Sequence, residues 1–322
     1  MRWILTAALT AATCLTLAAG AHADDKKHIT IGIVAKSQSN PVFQAAHQGA
    51  RDAAKEFGDK YNVDVTVNIQ TPSSEDAQKQ ADAIEQLARQ GADGIAVSCS
   101  DANAVTPAID KAVAAGAVVI TFDSDAPRSK RLAYYGTDDK TCGIRVMDEL
   151  AKVMDEKGVI AILAGNQAAP NLRTRAQAVR DEAAAKYPNI KIIDTYYHPE
   201  TPEQAAAEVQ REQAAHPEIT GWAMIGGWPL FTRDALKWDP GTVKVVSVDA
   251  LPPQLSYLED GHVQVLLAQD CYGWGHKSVE MLLDQIVNGK APPSKRVIDP
   301  LTKVTKENSA EFAKNWEKWL GK

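Results

Sequence analysis

Cysteine is scarce: the 322-residue chain has four, and Cys14 belongs to an N-terminal run treated separately below. The other three, Cys99, Cys142 and Cys271, form no Cys-x-x-Cys pair and no Cys/His cluster. That argues against a metal centre and allows at most one internal disulfide. Buried small hydrophobes are the expected role, with a Cys99–Cys142 bridge as the alternative. A basic block is also lacking. Charge is mixed along the chain and sums to −6, so nucleic acid is not an expected partner, because phosphate binding needs clustered Lys and Arg. Beyond the first residues no apolar run is long enough to cross a bilayer. Short-period repeats and low-complexity segments are missing too.

The first residues carry a different signal. Met1-Arg2 supplies positive charge, Trp3 to Ala19 is rich in Ala, Leu and Thr, and Ala21-His22-Ala23 gives small-x-small before Asp24-Asp25. Residues 1–23 therefore read as a cleavable secretory signal, with a retained anchor as the competing reading. Cys14 sits inside the apolar run and not at its cleavage end, which argues against a lipoprotein anchor. The remaining length suits two ordinary domains.

From there short apolar runs alternate with amphipathic helical stretches. Ile29–Ala35, Val63–Ile69, Gly94–Val97 and Val118–Phe122 read as strands, with helices over Val42–Phe57, Glu75–Arg89 and Ala104–Ala115 between them. A second series has strands at Val159–Leu163, Ile190–Thr195, Trp222–Ile225, Val243–Val248 and Val263–Leu267. Its helices fall near Thr141–Met154, Thr174–Lys186, Pro202–Ala214, Pro229–Leu236 and Pro252–Leu258. One long helix after Cys271, the extended "RVIDPLTKVT" and a terminal helix over Ala310–Leu320 complete the chain. The rhythm predicts an α/β fold of two doubly wound parallel-sheet lobes.

In such sheets ligands bind beyond the C-terminal strand ends. Those ends offer Lys36, Asn40 and Phe43, then Asp123, then Asn171, Arg173 and Arg175, then Trp228, and finally Asp249 and Gln269. Carboxylates, amides and cations together suit a polyhydroxylated ligand, whose hydroxyls both donate and accept, and an aromatic face covers the C–H side of a sugar ring. Taken singly, Asp123 or Asp249 could cap a helix, Asn40-Pro41 could be turn punctuation and Phe43 could be core. Trp228 could pack on its own loop. One of Arg173 and Arg175 could be a solvated helix-entry charge. Recurrence at so many strand ends favours a site. A hydrolase using Asp123 and Asp249 as an acid/base pair is the contrasting class, but no nucleophile elbow, metal cluster or Ser/His pairing accompanies them.

At "IGIVAKSQSNPVF", "QGARDAAKEFG", "QLARQGADGIAVSCSDANAVTPAIDKAVAAGAVVITFDSDAP", "YYGTDD", "VVSVDALPPQ" and "VLLAQD" the chain resembles the pentose- and hexose-binding periplasmic proteins of ABC importers, the ribose-binding-like family. The resemblance implies ligand contacts from Asn40, Phe43, Asp123, Arg173 (with Arg175 close by), Asp249 and Gln269. It implies three hinge crossings, near Thr137-Asp138, Gln269-Asp270 and Asp299-Pro300. One lobe would be residues 24–137 plus 270–298, the other 138–269 plus 299–322. It implies a monomeric, non-enzymatic periplasmic receptor without cofactor or metal, delivering a small sugar or polyol to a membrane permease or a chemoreceptor. Departures concern the ligand. Lys36 stands where the ribose binder has a small hydroxyl residue, Val42 where it has an aromatic, Ser124 where it has an Arg, and Gly226 where it has an amide. Ribose itself is therefore not the expected ligand.

Overall fold

The computed structural model describes residues 26–319; the expected leader, residues 1–23, lies outside them. The first series comprises β1 (His28–Val34), α1 (Pro41–Tyr61), β2 (Asp64–Ile69), α2 (Ala77–Arg89), β3 (Gly94–Val97), α3 (Ala102–Ala114), β4 (Val118–Phe122) and β5 (Ala133–Gly136). The second comprises α4 (Asp139–Val153), β6 (Gly158–Ala164), α5 (Pro170–Lys186), β7 (Ile190–Tyr197), α6 (Pro202–Ala215), β8 (Gly221–Met224), β9 (Lys244–Val248), α7 (Pro252–Glu259) and β10 (Val265–Ala268). Then follow α8 (Cys271–Asn288), β11 (Arg296–Ile298), β12 (Thr302–Val304) and α9 (Ser309–Trp319).

Two six-stranded sheets result, ordered β11-β5-β4-β3-β1-β2 and β12-β10-β9-β8-β6-β7. All neighbours pair parallel except β12, which runs antiparallel to β10. The sheets correspond strand for strand, so β4 in one matches β9 in the other. Burial explains the order. The runs of β3, β5, β8 and β10 are covered at every residue and sit inside their sheets, whereas β2 and β7 have exposed positions and form edges. The chain passes between sheets after β5, after β10, and between β11 and β12. α8 thus returns to the first lobe and packs along α1.

That return is built on small residues. A Cβ on Gly49 of α1 would overlap the Tyr272 carbonyl, and one on Gly275 of α8 would overlap the Ala46 carbonyl. With glycine at both places the helices approach closely and bury Trp274 against Phe43 and Phe122, at centroid distances of 6.1 and 6.4 Å.

Two expectations need correction. Residues 133–136, read only as part of a motif, form strand β5. The helix expected over Pro229–Leu236 is one 3-10 turn, Trp228–Phe231. Side chains from neighbouring helices take the backbone groups that a longer helix would have used. The Tyr257 hydroxyl donates to the Thr232 carbonyl and accepts from the Ala235 N–H at 3.0 Å, and the Gln210 amide donates to the Asp234 and Ala235 carbonyls. The three described cysteines are buried and free, with no Cys99–Cys142 bridge. Among the described residues no helix is long and apolar enough to cross a membrane.

Candidate functional site

The C-terminal ends of the two sheets face each other, and the loops leaving them, together with helices α4 and α5, supply the polar side chains that meet there. Asp123 is the first residue beyond β4 and Asp249 the first beyond β9, so they are equivalent positions of the two lobes. Both adopt left-handed backbone, at φ 55° and 71°. Few residues other than glycine do so, and Asp is among those that tolerate it best. The sharp turn brings each carboxylate into the space between the lobes.

On the first side Lys36, just past β1, donates to Asn171 Oδ1 at 3.3 Å and lies 3.8 Å from Asp123 Oδ2. Asn171 Nδ2 donates to Asp123 Oδ1 at 3.2 Å, and the Ser98 hydroxyl donates to Asp123 Oδ2 at 2.7 Å. Lys36 and Asp123 belong to the first lobe and Asn171 to the second, so this chain of bonds spans the gap. On the second side the Arg175 guanidinium donates to Asp139 Oδ1 at 2.9 Å, to Gln269 Oε1 at 2.7 Å and to the Ile225 carbonyl at 3.3 Å. Gln269 in turn donates to Asp249 Oδ1 at 2.8 Å.

Helical spacing joins the two groups. Asn171 and Arg175 are four residues apart in α5 and share one face, while Arg173, two residues from each, points elsewhere. Arg173 is exposed and donates to the Gln167 and Ala168 carbonyls of its own loop. Arg175 is therefore the arginine brought into the cluster, and Arg173 is not. Gly143 of α4 makes room for it, because a Cβ there would overlap the Arg175 carbonyl.

The remaining expected residues sit around this cluster. Asn40 caps α1, its Oδ1 accepting from the Val42 N–H at 3.3 Å. Phe43 is buried within the apolar core beside Trp274. Trp228 is buried too. Its indole lies over Gly226, where a Cβ would strike the ring, and meets His198 edge-on at 4.7 Å.

Several participants were not singled out from the sequence. Ser98 and Asp139 are bonded directly to expected residues. Gln80, fully buried in α2, donates to the carbonyls of Ala35 and Ser98 at 2.8 and 2.7 Å and so ties the ends of β1 and β3 together. The strand-end rule would have found Ser98 and Glu200, each just past a strand. Nothing local marks Gln80.

Electrostatics differ across the site. Burial raises the Glu200 carboxyl to about 7, with Lys36 pulling the other way, and raises Asp139 to about 6 against the pull of Arg175. Burial also raises Asp249, opposed by its bond from Gln269. For Lys36 burial favours the neutral amine, yet Glu200, Asp123 and Glu75 outweigh it and move the group up. Burial lowers His198 to about 4, so the ring is neutral. A cavity of about 530 Å³ opens beside the cluster, lined by Ser37, Ser39 and Glu75 from the first lobe and Gln167, His198 and Glu200 from the second. Donors and acceptors of both signs, drawn from both lobes, are suited to holding hydroxyl groups, each of which both donates and accepts.

Comparison with known proteins gives one consistent result. A family model described as a periplasmic binding protein domain matches residues 31–291. A D-ribose/D-allose-binding protein of Pseudomonas aeruginosa is 24% identical over 273 residues, covering 81% of this chain and 83% of its own length. The ribose import binding protein of Escherichia coli is 25% identical over 301 residues, covering 93% and 97%. A crystal structure of an ABC transporter solute-binding protein from Burkholderia graminis, in complex with D-arabinose, superposes with a TM-score of 0.79 at 29% identity, covering 88% of this chain and 97% of that one.

Proposed function

The chain belongs to the periplasmic binding protein family, and from that premise we propose that it captures a small sugar or sugar alcohol between its lobes and delivers it to an inner-membrane ABC permease. The observation that carries this reading is the set of buried bonds from Lys36 and Asp123 in one lobe to Asn171 in the other. A ligand inserted among such groups gains bonds to both lobes only when they are closed, and that differential affinity is what shifts an open–closed equilibrium.

Lys36, Asn40, Asp123, Asn171, Arg175, Asp249 and Gln269 are the proposed hydrogen-bonding set. Asn40 Oδ1 serves the helix cap, so its amide nitrogen is the group it offers. Phe43 and Trp228 are the proposed ring faces of the site. Ribose, allose and arabinose, named for the relatives, set the expected size at a pentose or hexose. Residues 1–23 are the proposed leader, and the mature chain is proposed to act in the periplasm as a monomer that binds without turnover. The moving bodies are residues 24–137 with 270–298 and residues 138–269 with 299–322.

A thermal-shift titration against pentoses, hexoses, polyols and their amino derivatives tests this, since binding to the native state raises the melting temperature. Mass spectrometry of the released ligand should recover it unaltered. A flat melting temperature across the whole panel overturns the reading, and a chemically changed product overturns its non-enzymatic part.

A further inference from the structure

Charge between the lobes is unbalanced. Lys36 and Arg175 are its two buried cations, facing the carboxylates Asp123, Asp249 and Glu200, which are buried, and Asp139 and Glu75, which are partly buried. Asp139 is paired with Arg175, Asp123 with Lys36, and Asp249 is held by Gln269. Among the described residues no Lys or Arg lies within 4.0 Å of Glu75 or Glu200. These two occupy equivalent loops, after β2 and after β7, so each lobe delivers to the same cavity of about 530 Å³ one carboxylate that Lys36 reaches only at longer range. Glu200 Oε1 accepts one backbone bond, from the Asn166 N–H at 3.0 Å.

A second observation concerns His198, which lines that cavity and is only 6% exposed. Its Nδ1 accepts from the Glu200 N–H at 3.1 Å, so the neutral ring carries its proton on Nε2, a buried donor without a partner. Glu75 Oε1 and Thr201 Oγ1 beside it are also buried and unpartnered. A native protein seldom leaves so many buried polar atoms unmatched in one place. What is missing is a ligand that brings N–H donors and positive charge to the carboxylates and a hydroxyl oxygen to accept from His198. A metal ion suits the site poorly, because no group of three or more His, Cys, Asp or Glu side chains among the described residues could hold one. An ammonium carries three donors and one charge.

We propose that this cavity takes the protonated amine of an amino-substituted sugar or polyol, with Glu75 and Glu200 on the ammonium and the hydroxyls of the same molecule on the Asp123–Asn171 and Asp249–Gln269 groups. The proposal rests on the sugar-binding reading and narrows it to a basic ligand. Neutral His198 adds no competing cation, and Ser37 and Ser39 line the same wall for further hydroxyls.

Calorimetric titration of the mature chain at pH 7.5 with matched pairs provides the test: D-glucose and D-glucosamine, D-galactose and D-galactosamine, D-glucitol and its 1-amino-1-deoxy derivative, myo-inositol and an aminodeoxyinositol. In at least one pair the amine should bind roughly 10-fold or more tightly than its neutral partner, as a charge-assisted hydrogen bond implies. That advantage should shrink to about threefold or less in E75Q and in E200Q. Two substitutions are used because Glu75 is only partly buried and its variant keeps the test alive if E200Q melts early. If neutral carbohydrates bind and no amine binds better, the inference fails while the sugar-binding reading stands. An amine preference that survives both substitutions also overturns it. If nothing in the panel binds, the sugar-binding reading falls first.

Discussion

At the scale of single residues the two arginines of α5 separate position from composition. Arg175 is 2% exposed and bonded to Asp139, Gln269 and a backbone carbonyl. Removing one member of a buried charged network leaves the other uncompensated, at a cost of about 3–5 kcal/mol. R175M should therefore lower the unfolding free energy by that amount, read as a lower urea midpoint, and abolish sugar binding. R173A should change stability by no more than about 0.5 kcal/mol and leave binding within twofold of wild type, by roughly the same reckoning; a large loss with R173A would contradict the assignment of the two side chains. D123N and D249N keep the shape and remove the charge, and each should weaken the bound carbohydrate by roughly 10-fold or more. pH supplies a further check. Glu200 moves from the ordinary 4.5 up to about 7 on burial, so between those values the folded chain holds a proton that the unfolded chain has lost. Its stabilising contribution is complete below about 4.5 and gone above about 7. His47 and His198, lowered to about 4, slope the opposite way below pH 6.5 and partly mask the effect. The difference between E200Q and wild type isolates it: the melting temperature of E200Q should gain on wild type between pH 5 and 7.5, by roughly 3 °C or more. Much of this layer was legible beforehand. The spacing of Asn171 and Arg175 marks one helix face, and the first residue past each strand marks Asp123 and Asp249. Glu75 stayed hidden because its significance depends on a partner in the other lobe, more than a hundred residues away.

Among elements, the contact of α1 with α8 is the most demanding. Gly49 and Gly275 let the backbones meet, and Trp274 then fills the space beside Phe43 and Phe122. G275A pushes a methyl into the Ala46 carbonyl, and overpacking of this kind costs about 1–3 kcal/mol. W274A empties the same seam at about 3–5 kcal/mol. Both should appear as lower urea midpoints, with G275A leaving the circular dichroism spectrum unchanged; a neutral G275A would mean that the helices can part without loss. Long periodic helices and β-branched strands could be read directly, because their own residues carry the burial pattern. β5 could not, since "AYYG" is too short to show a period. The helix expected after Trp228 failed for a different reason. Pro229 and the apolar spacing favour helix locally, but Tyr257 and Gln210 claim the backbone groups at Thr232, Asp234 and Ala235. Local preference lost to partners that arrive only with the tertiary fold.

For the whole molecule, the proposed closure predicts a radius of gyration that falls when a binding carbohydrate is added, measurable by small-angle scattering; an invariant radius would count against two moving bodies. The three passages between the sheets also bear on a different matter, the order in which the chain can fold. The first lobe cannot fill its own core until α8 exists, since Trp274 lies more than two hundred residues beyond Phe43. Contacts of such long range form slowly, and a nascent chain lacking α8 holds a gap where the tryptophan belongs. Its first lobe therefore stays loose until most of the chain has been synthesised. For a protein proposed to leave the cytoplasm through a narrow channel, that delay keeps the polypeptide threadable for as long as threading is needed.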